Sequence, residues 1–342
     1  MPNFFQNAKA GIYFVRSLYG YKRGRAKPLS AVFVVCNRCN LRCKYCNSPF
    51  LKERELSLSE IDTLFTNLRN TGIFRLGLTG GEPLVREDIQ EIVKLALQKK
   101  FYLSMNSNLL LYHERPHIFN DVNFVFTSLD GPPQVHEKNR GKTSQEGVVD
   151  AIIDLRRRKK PVVAICVVDQ QDSTDIEYLV DLAERHDFKL HFQIRGSLKN
   201  RKENVIIRGN LSDSFDDNNY RQIWKFLIEK KKKTHAIANS EQYFKKVIEW
   251  DNYHQFTRLS KGKKCAAGFG FLYIASDGIG YPCSVIKDRY KGINLLKENW
   301  IEKFHDKKPC NECLCGPYLE FNLLYKNPIA SIADLMAAYG RG

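Results

Sequence analysis

From residue 31 to about residue 195, short apolar runs rich in β-branched residues alternate with longer segments whose apolar positions recur every three or four residues. Ala31–Val35, Phe74–Thr79, Phe101–Asn106, Asn123–Leu129, Val162–Val168 and Leu190–Ile194 read as strands. Between them, "SLSEIDTLFTNLRN" puts Ile61, Leu64, Phe65 and Leu68 on one helical face, with Ser57 and Glu60 spaced as a capping box. "REDIQEIVKLALQKK" and "DIEYLVDLAERH" read as further amphipathic helices. Six strand–helix repeats with right-handed crossovers make an α/β fold: a parallel sheet with helices outside. Such a sheet either curls into a partial barrel or stays open and doubly wound, and ligands sit at the carboxyl ends of its strands in both cases.

A polar stretch, Lys199 to Asn219, breaks this rhythm, and helix-like material follows at Tyr220–Lys232 and Glu241–Trp250. Beyond it, "FLYIASDGIGYPC" alternates on both sides of Asp277-Gly278, a hairpin signal inside a cysteine-rich region. The expected division is an N-terminal basic amphipathic extension (1–30), the strand–helix core (31–198), a helical linker (199–260), a cysteine-rich domain (261–320) and a C-terminal helix and tail (321–342).

Composition narrows the classes. A hydrophobic content of 43% over 342 residues supports a substantial core. No apolar run approaches the roughly 18 residues that span a bilayer, and "MPNFFQNAKAGIYFVRSLYGYKRGRAKPLS" lacks the apolar centre and cleavage site of a secretory signal. The expectation is a cytoplasmic protein, where clustered thiols bind metal or do chemistry rather than form disulfides. The net charge of +16 raises the question of an anionic partner. Its densest runs, Arg156 to Lys160 and Lys230 to Lys233, each close an amphipathic helix, where cations oppose the helix dipole. The N-terminal stretch mixes Ile12, Tyr13, Phe14, Val15, Leu18 and Tyr19 with Arg16, Lys22, Arg23, Arg25 and Lys27. It reads as a helix packed under the barrel, or as one lying at an anionic membrane surface.

Ten cysteines then set the chemistry. Cys39, Cys43 and Cys46 have the spacing C-x3-C-x2-C directly after the first strand, with Cys36 just before them. Three thiolates in one loop hold three irons of a cubane and leave the fourth iron open, whereas structural zinc wants four ligands and would recruit Cys36. Thr79-Gly80-Gly81-Glu82-Pro83 follows the second strand, so its amides and the Glu82 carboxylate would face the same edge, where a carboxylate could hold an ammonium group. Near the C-terminus, Cys265 and Cys283 flank the hairpin and Cys310, Cys313 and Cys315 form a knuckle, fit for a zinc ribbon or an iron–sulfur cluster.

Together these motifs resemble the radical S-adenosylmethionine family. Cys39, Cys43 and Cys46 match its signature, with Tyr45 the usual aromatic before the last cysteine. Gly80 to Pro83 matches its GGEP motif, and "TSLDGPPQVHEKNRG" (Thr127 to Gly141) is similar to its "SLDG…H…R-G" segment. The resemblance implies a partial (β/α)6 TIM-like barrel. It also implies a 4Fe-4S cluster on the three thiols that reductively cleaves S-adenosylmethionine to a 5′-deoxyadenosyl radical. Cys36 then stands outside the motif. The resemblance gives Gly80, Gly81 and Glu82 the amino group of S-adenosylmethionine, Tyr45 a place near the adenine, and Asn106, Ser128 and Arg140 ribose and carboxylate contacts. Asn106 and Ser128 read otherwise as strand-end caps and Arg140 as a surface cation, and Asp130 reads as a turn former before Gly131 or as a further ribose contact. The C-terminal segment resembles the shorter "twitch" form of the SPASM extension. It implies a second, auxiliary 4Fe-4S cluster on Cys265, Cys283, Cys310 and Cys313, with Cys315 the alternative ligand. Cys166 reads as a small core residue.

The implied activity is hydrogen abstraction from a small metabolite or a peptide side chain, giving oxidation or bond formation, with the auxiliary cluster in electron transfer and a flavodoxin or ferredoxin as reductant. Two other enzyme readings stand beside it: an RNA-modifying radical enzyme, which the positive charge suggests but no appended RNA-binding motif supports, and a lipid-modifying one, which the basic amphipathic N-terminal stretch suggests. A non-catalytic zinc-stabilised binding protein is the reading from another class.

Overall fold

A computed structural model describes residues 8–169, 171–195, 217–251, 253, 257–258, 265–285, 287, 290–297, 299–304 and 312–332. The first helix, α1, is Ala8–Lys22. The strands β1 (Ser30–Cys36), β2 (Arg75–Gly80), β3 (Tyr102–Asn106), β4 (Phe124–Ser128), β5 (Val162–Val168) and β6 (Lys189–Ile194) fall within a residue or so of the six apolar runs. They pair in parallel, in chain order. The helices α2 (Leu58–Asn70), α3 (Ile89–Gln98), α4 (Pro133–Arg140), α5 (Ser144–Arg157) and α6 (Ser173–Arg185) lie in the crossovers.

Local chemistry fixes these elements. The capping box at Ser57 forms: its hydroxyl accepts from the Glu60 amide while the Glu60 carboxylate accepts from the Ser57 amide. Ile61, Leu64, Phe65 and Leu68 then point into the core. A second capping box, Asp172 with Asp175, starts α6 two residues ahead of the sequence pattern. Its short polar side chains satisfy the amide groups a helix start leaves without partners.

Past β6 come α7 (Asp217–Lys233) and α8 (Glu241–Ile248), then the two-residue strand β7 (Thr257–Arg258). The expected hairpin forms from β8 (Phe271–Ile274) and β9 (Ile279–Tyr281), turning at Gly278 with φ +82°. Instead of standing apart, β8 pairs with β1 in parallel, so the hairpin and β10 (Ile293–Asn294) extend the barrel sheet. The nine strands run β10-β9-β8-β1-β2-β3-β4-β5-β6. β6 and β10 are the two ends of that order, and the arrangement is a partial TIM-type barrel. β11 (Glu312–Cys313) pairs with β7, and α9 (Gly316–Lys326) follows. No helix among the described residues is long and apolar enough to cross a membrane.

Candidate functional site

The loop leaving β1 carries Cys39, Cys43 and Cys46, all part-exposed, over the carboxyl edge of the sheet. The β1–β2 register slips between Val34 and Cys36, and a bulge of that kind re-aims the chain at the edge. The Gly81 and Glu82 amides donate to the Cys36 and Arg38 carbonyls at 2.8 and 2.9 Å. An added Cβ would lie 2.2 Å from the Cys36 carbonyl oxygen at Gly80, and 2.2 Å from that of Arg38 at Gly81. Those two amides, expected to face a ligand, are thus occupied by the cysteine loop, and the glycines are required by backbone packing.

Glu82 is fully buried. Its carboxylate accepts from the Leu84 amide (3.0 Å), the Asn108 amide (2.6 Å) and the Ser107 hydroxyl (2.8 Å). A carboxylate has about four acceptor positions, so these bonds leave one for an ammonium group. Burial outweighs the donors and raises its pKa to about 6. Arg86, also buried, clamps both ends of the cysteine loop. It donates to the Val35 and Leu56 carbonyls at 2.6 Å each and pairs with Asp88.

A second network ties the loop to β4 and β5. Asp130 has no exposed surface and accepts from the Tyr45 hydroxyl at 2.5 Å, from Arg140 at 2.8 and 3.2 Å, and from the Val167 amide at 3.1 Å. Arg140 lies 5.4 Å over the Tyr45 ring. Arg140 is therefore a buried ion-pair partner rather than a surface cation, and Asp130 is the hub of the network rather than merely a turn former. The Asp130 amide donates to His136 Nδ1 at 3.1 Å, and burial, helped by Arg140, lowers that imidazole to about 4. Asn106 and Ser128 end β3 and β4 half-buried, and neither caps a following helix. The pattern did not single out Ser107, Asn108, Arg86 or Gln171, whose side-chain amide donates to the Asp130 carbonyl at 2.8 Å; the only signal for the first two was the polar triplet Asn106-Ser107-Asn108 at a strand end.

Cys39 is pushed up to about 11, by burial first and then by Glu82, Cys43 and Cys46. Burial also raises Cys43, against the pull of Arg140. Cys36 is buried, held near 12 by burial, and its thiol donates to the Glu82 carbonyl at 3.4 Å. The C-terminal region gathers Cys265, Cys283, Cys313 and Cys315: burial and mutual repulsion raise Cys313, and the same causes put Cys315 near 12. Cys265 accepts from the Asn322 amide nitrogen at 3.1 Å and the Ala267 amide at 3.4 Å. Cys310 lies outside the described residues. Among the described residues no three Cys, His, Asp or Glu side chains converge on a point that would hold one metal ion. Zinc draws each sulfur to about 2.3 Å of a single centre. Thiols that shift one another's titration, as Cys265, Cys283 and Cys315 do that of Cys313, suit a zinc site or an iron–sulfur cluster alike.

Residues 33–183 match the family model of the radical SAM superfamily. Those residues are a radical SAM domain. The chain is 35% identical over 130 residues to a probable GTP 3′,8-cyclase of Thermococcus kodakarensis, covering 36% of this chain and 42% of that one. It is 35% identical over 92 residues to the PqqA peptide cyclase of Rhodopseudomonas palustris, covering 26% and 24%. The chain thus spans less than half the length of these curated relatives. Streptococcus suis SuiB bound to S-adenosylmethionine shares the fold at TM-score 0.66 and 14% identity, over 87% of this chain and 70% of that one. Native anSMEcpe with bound AdoMet and Cp18Cys peptide does so at 0.60 and 18%, over 82% and 80%. A radical SAM domain uses a 4Fe-4S cluster with S-adenosylmethionine, and the donor set at this edge fits both. Three thiols share one loop, and a nearly saturated carboxylate with one acceptor position left stands beside them.

Proposed function

We propose that this chain is a radical SAM enzyme that abstracts a hydrogen atom from a peptide side chain or a small metabolite, giving oxidation or bond formation. The observation that carries it is the junction at the β1 and β2 carboxyl ends, where the Gly81 and Glu82 amides bond the Cys36 and Arg38 carbonyls, immediately ahead of the Cys39–Cys46 loop. Cys39, Cys43 and Cys46 would hold the first cluster, and four of the five C-terminal cysteines the second. When bound, the first cluster supplies one electron to S-adenosylmethionine, and the 5′-deoxyadenosyl radical released removes the substrate hydrogen.

The chain's own residues do the rest. Glu82 would offer its last acceptor position to the ammonium group. The Tyr45–Asp130–Arg140 network holds the cysteine loop against β4 and β5, which fixes the thiols relative to the strand ends. Asn106 and Ser128, half-buried at neighbouring strand ends, stand where a ribose could be met. A peptide substrate is favoured by relatives named for peptide cyclisation and by the SuiB structure bound to its precursor peptide SuiA.

The test is anaerobic reconstitution with iron and sulfide, followed by dithionite and S-adenosylmethionine. Iron is expected near eight per chain, about four for each cluster, with 5′-deoxyadenosine as product. Cys43→Ala should abolish the product, while Cys283→Ala should lose iron yet keep some cleavage. Equal product from the Cys43 variant refutes the reading, and stoichiometric zinc without iron supports the binding-protein alternative.

A further inference from the structure

The partial barrel has two ends, and the one opposite the cysteine loop carries a second surface. Helix α1 lies across it. Ala10, Phe14 and Ser17 are buried there; Phe14 meets Tyr325 edge-on at 5.7 Å, and Ser17 shares a 2.6 Å hydrogen bond with the same tyrosine. Tyr13 stacks on Phe74, and Arg16 donates to the Thr71 carbonyl at 2.7 Å, just before β2 begins. The helix is thus packed under the barrel, yet no described residue covers its other face. Ile12, Val15 and Tyr19 are 69%, 65% and 54% exposed. At i, i+3 and i+7 they fall within about a 60° sector of the helix. They are half of the six large hydrophobic side chains that are exposed among the described residues. A fourth, Ile329 at 86%, follows Tyr325 by four residues.

The charge on this floor of the barrel is mostly positive, although Asp121 and Asp187 are exposed in the turns before β4 and β6. Residues 1–52 contain no aspartate or glutamate. Lys22, Arg23 and Arg25 are exposed at the end of α1, and Arg23 lies 5.1 Å over the Tyr19 ring. In a parallel sheet, the turns that feed the strands share one edge, and α1 sits at that edge. Lys100, Arg157, Arg158 and Lys159, exposed just before β3 and β5, therefore face the same side, as does the lysine run closing α7 ahead of the Leu190–Ile237 bridge. Some of these cations are paired, Arg158 with Asp154 and Lys230 with Glu177. The basic runs of the sequence thus lie on the same floor as the solvent-facing apolar stripe, under β5 and β6, while Lys22, Arg23 and Arg25 adjoin the stripe itself.

We propose that this floor is a peripheral docking face for an anionic lipid bilayer. Ile12, Val15 and Tyr19 enter the headgroup–acyl boundary, and the surrounding lysines and arginines meet lipid phosphates. A phosphate-rich partner alone, such as RNA, has no use for exposed isoleucine and valine at the centre of the patch. Docked this way, the cysteine loop faces away from the membrane.

The test is sedimentation of the full chain with vesicles of phosphatidylglycerol and phosphatidylcholine, against phosphatidylcholine alone. Binding is expected only to the anionic vesicles and should weaken with salt. Lys22→Glu/Arg23→Glu/Arg25→Glu should weaken it by about a hundredfold or more, and Ile12→Glu/Val15→Glu by roughly tenfold or more. The three native tryptophans are buried, so Tyr19→Trp adds a reporter whose emission should shift to the blue on those vesicles. Equal binding to both vesicle types overturns the proposal. So does an Ile12→Glu/Val15→Glu chain that binds as well as the parent, or tighter binding to single-stranded RNA than to the anionic vesicles.

Discussion

Replacing Glu82 with glutamine should remove a pH-dependent loss of stability that the site imposes on the fold. Burial carries the Glu82 carboxyl from its ordinary 4.5 to about 6. Between those values the folded chain binds more protons than the unfolded one, so stability falls as pH rises through the window. A gap of about one and a half pH units, at ~1.4 kcal/mol each, is about 2 kcal/mol lost by pH 7. Glutamine cannot titrate. It also sets an NH2 group against a backbone amide, Asn108 N–H or Leu84 N–H depending on its orientation, which costs about 1–3 kcal/mol at every pH. The absolute stability of Glu82→Gln is therefore uninformative, and its pH dependence carries the prediction. Urea midpoints of the cluster-free chain, measured from pH 4.5 to 7, should show the variant gaining about 2 kcal/mol on the parent across the range. A difference that stays flat, or slopes the other way, would refute the reading of Glu82 as a buried, destabilised carboxylate.

The Tyr45–Asp130–Arg140 network and the glycine junction make separate predictions. Asp130→Ala should cost about 3–5 kcal/mol in urea unfolding, because it leaves the buried Arg140 guanidinium without its counter-ion. Asp130→Ala/Arg140→Met should cost less than Asp130→Ala alone, and a double variant that is worse than the single would count against the pairing. Gly81→Ala puts a Cβ 2.2 Å from the Arg38 carbonyl oxygen and 2.5 Å from that of Asn37, so the cysteine loop must move. Iron retained after reconstitution should fall below about half with helix content unchanged. Gly77→Ala, whose nearest contact is the Ser104 hydroxyl at 3.3 Å, is the mild control.

The barrel strands were legible because each is buried on its helix-facing side and reads as an apolar β-branched run, a pattern that survives whatever the neighbouring strand is. Val162–Val168 emerged with its boundaries intact. Pairing beyond the repeat was not legible. Nothing in "FLYIASDGIGYPC" says that β8 joins β1, because strand alternation specifies a buried face and leaves the partner unstated. The same limit governs the site. Spacing placed the three thiols in one loop and the Gly-Gly-Glu-Pro turn beside it, since both are local in sequence. It left Asp130 between a turn former and a ribose contact, and Arg140 between a cofactor contact and a surface cation, because their burial comes from Tyr45, 85 residues away from Asp130, and from the Val167 amide, 37 residues away.

The two networks at the strand ends show how the fold and the candidate site bear on each other. Arg86 and Asp130 each take up loop groups that a buried segment could not leave without partners: the Val35 and Leu56 carbonyls in one case, the Tyr45 hydroxyl in the other. Both therefore stabilise the cysteine loop in the chain alone, before any cluster is bound. Glu82 does the opposite, since its burial opposes folding near neutral pH. A residue that a stability argument alone would replace, held by three donors beside the thiols, is better explained by what it can bind than by what it packs against. The thiols agree with that reading: burial and mutual repulsion hold Cys313 and Cys315 protonated in the chain alone, and a cationic metal core would relieve both effects at once.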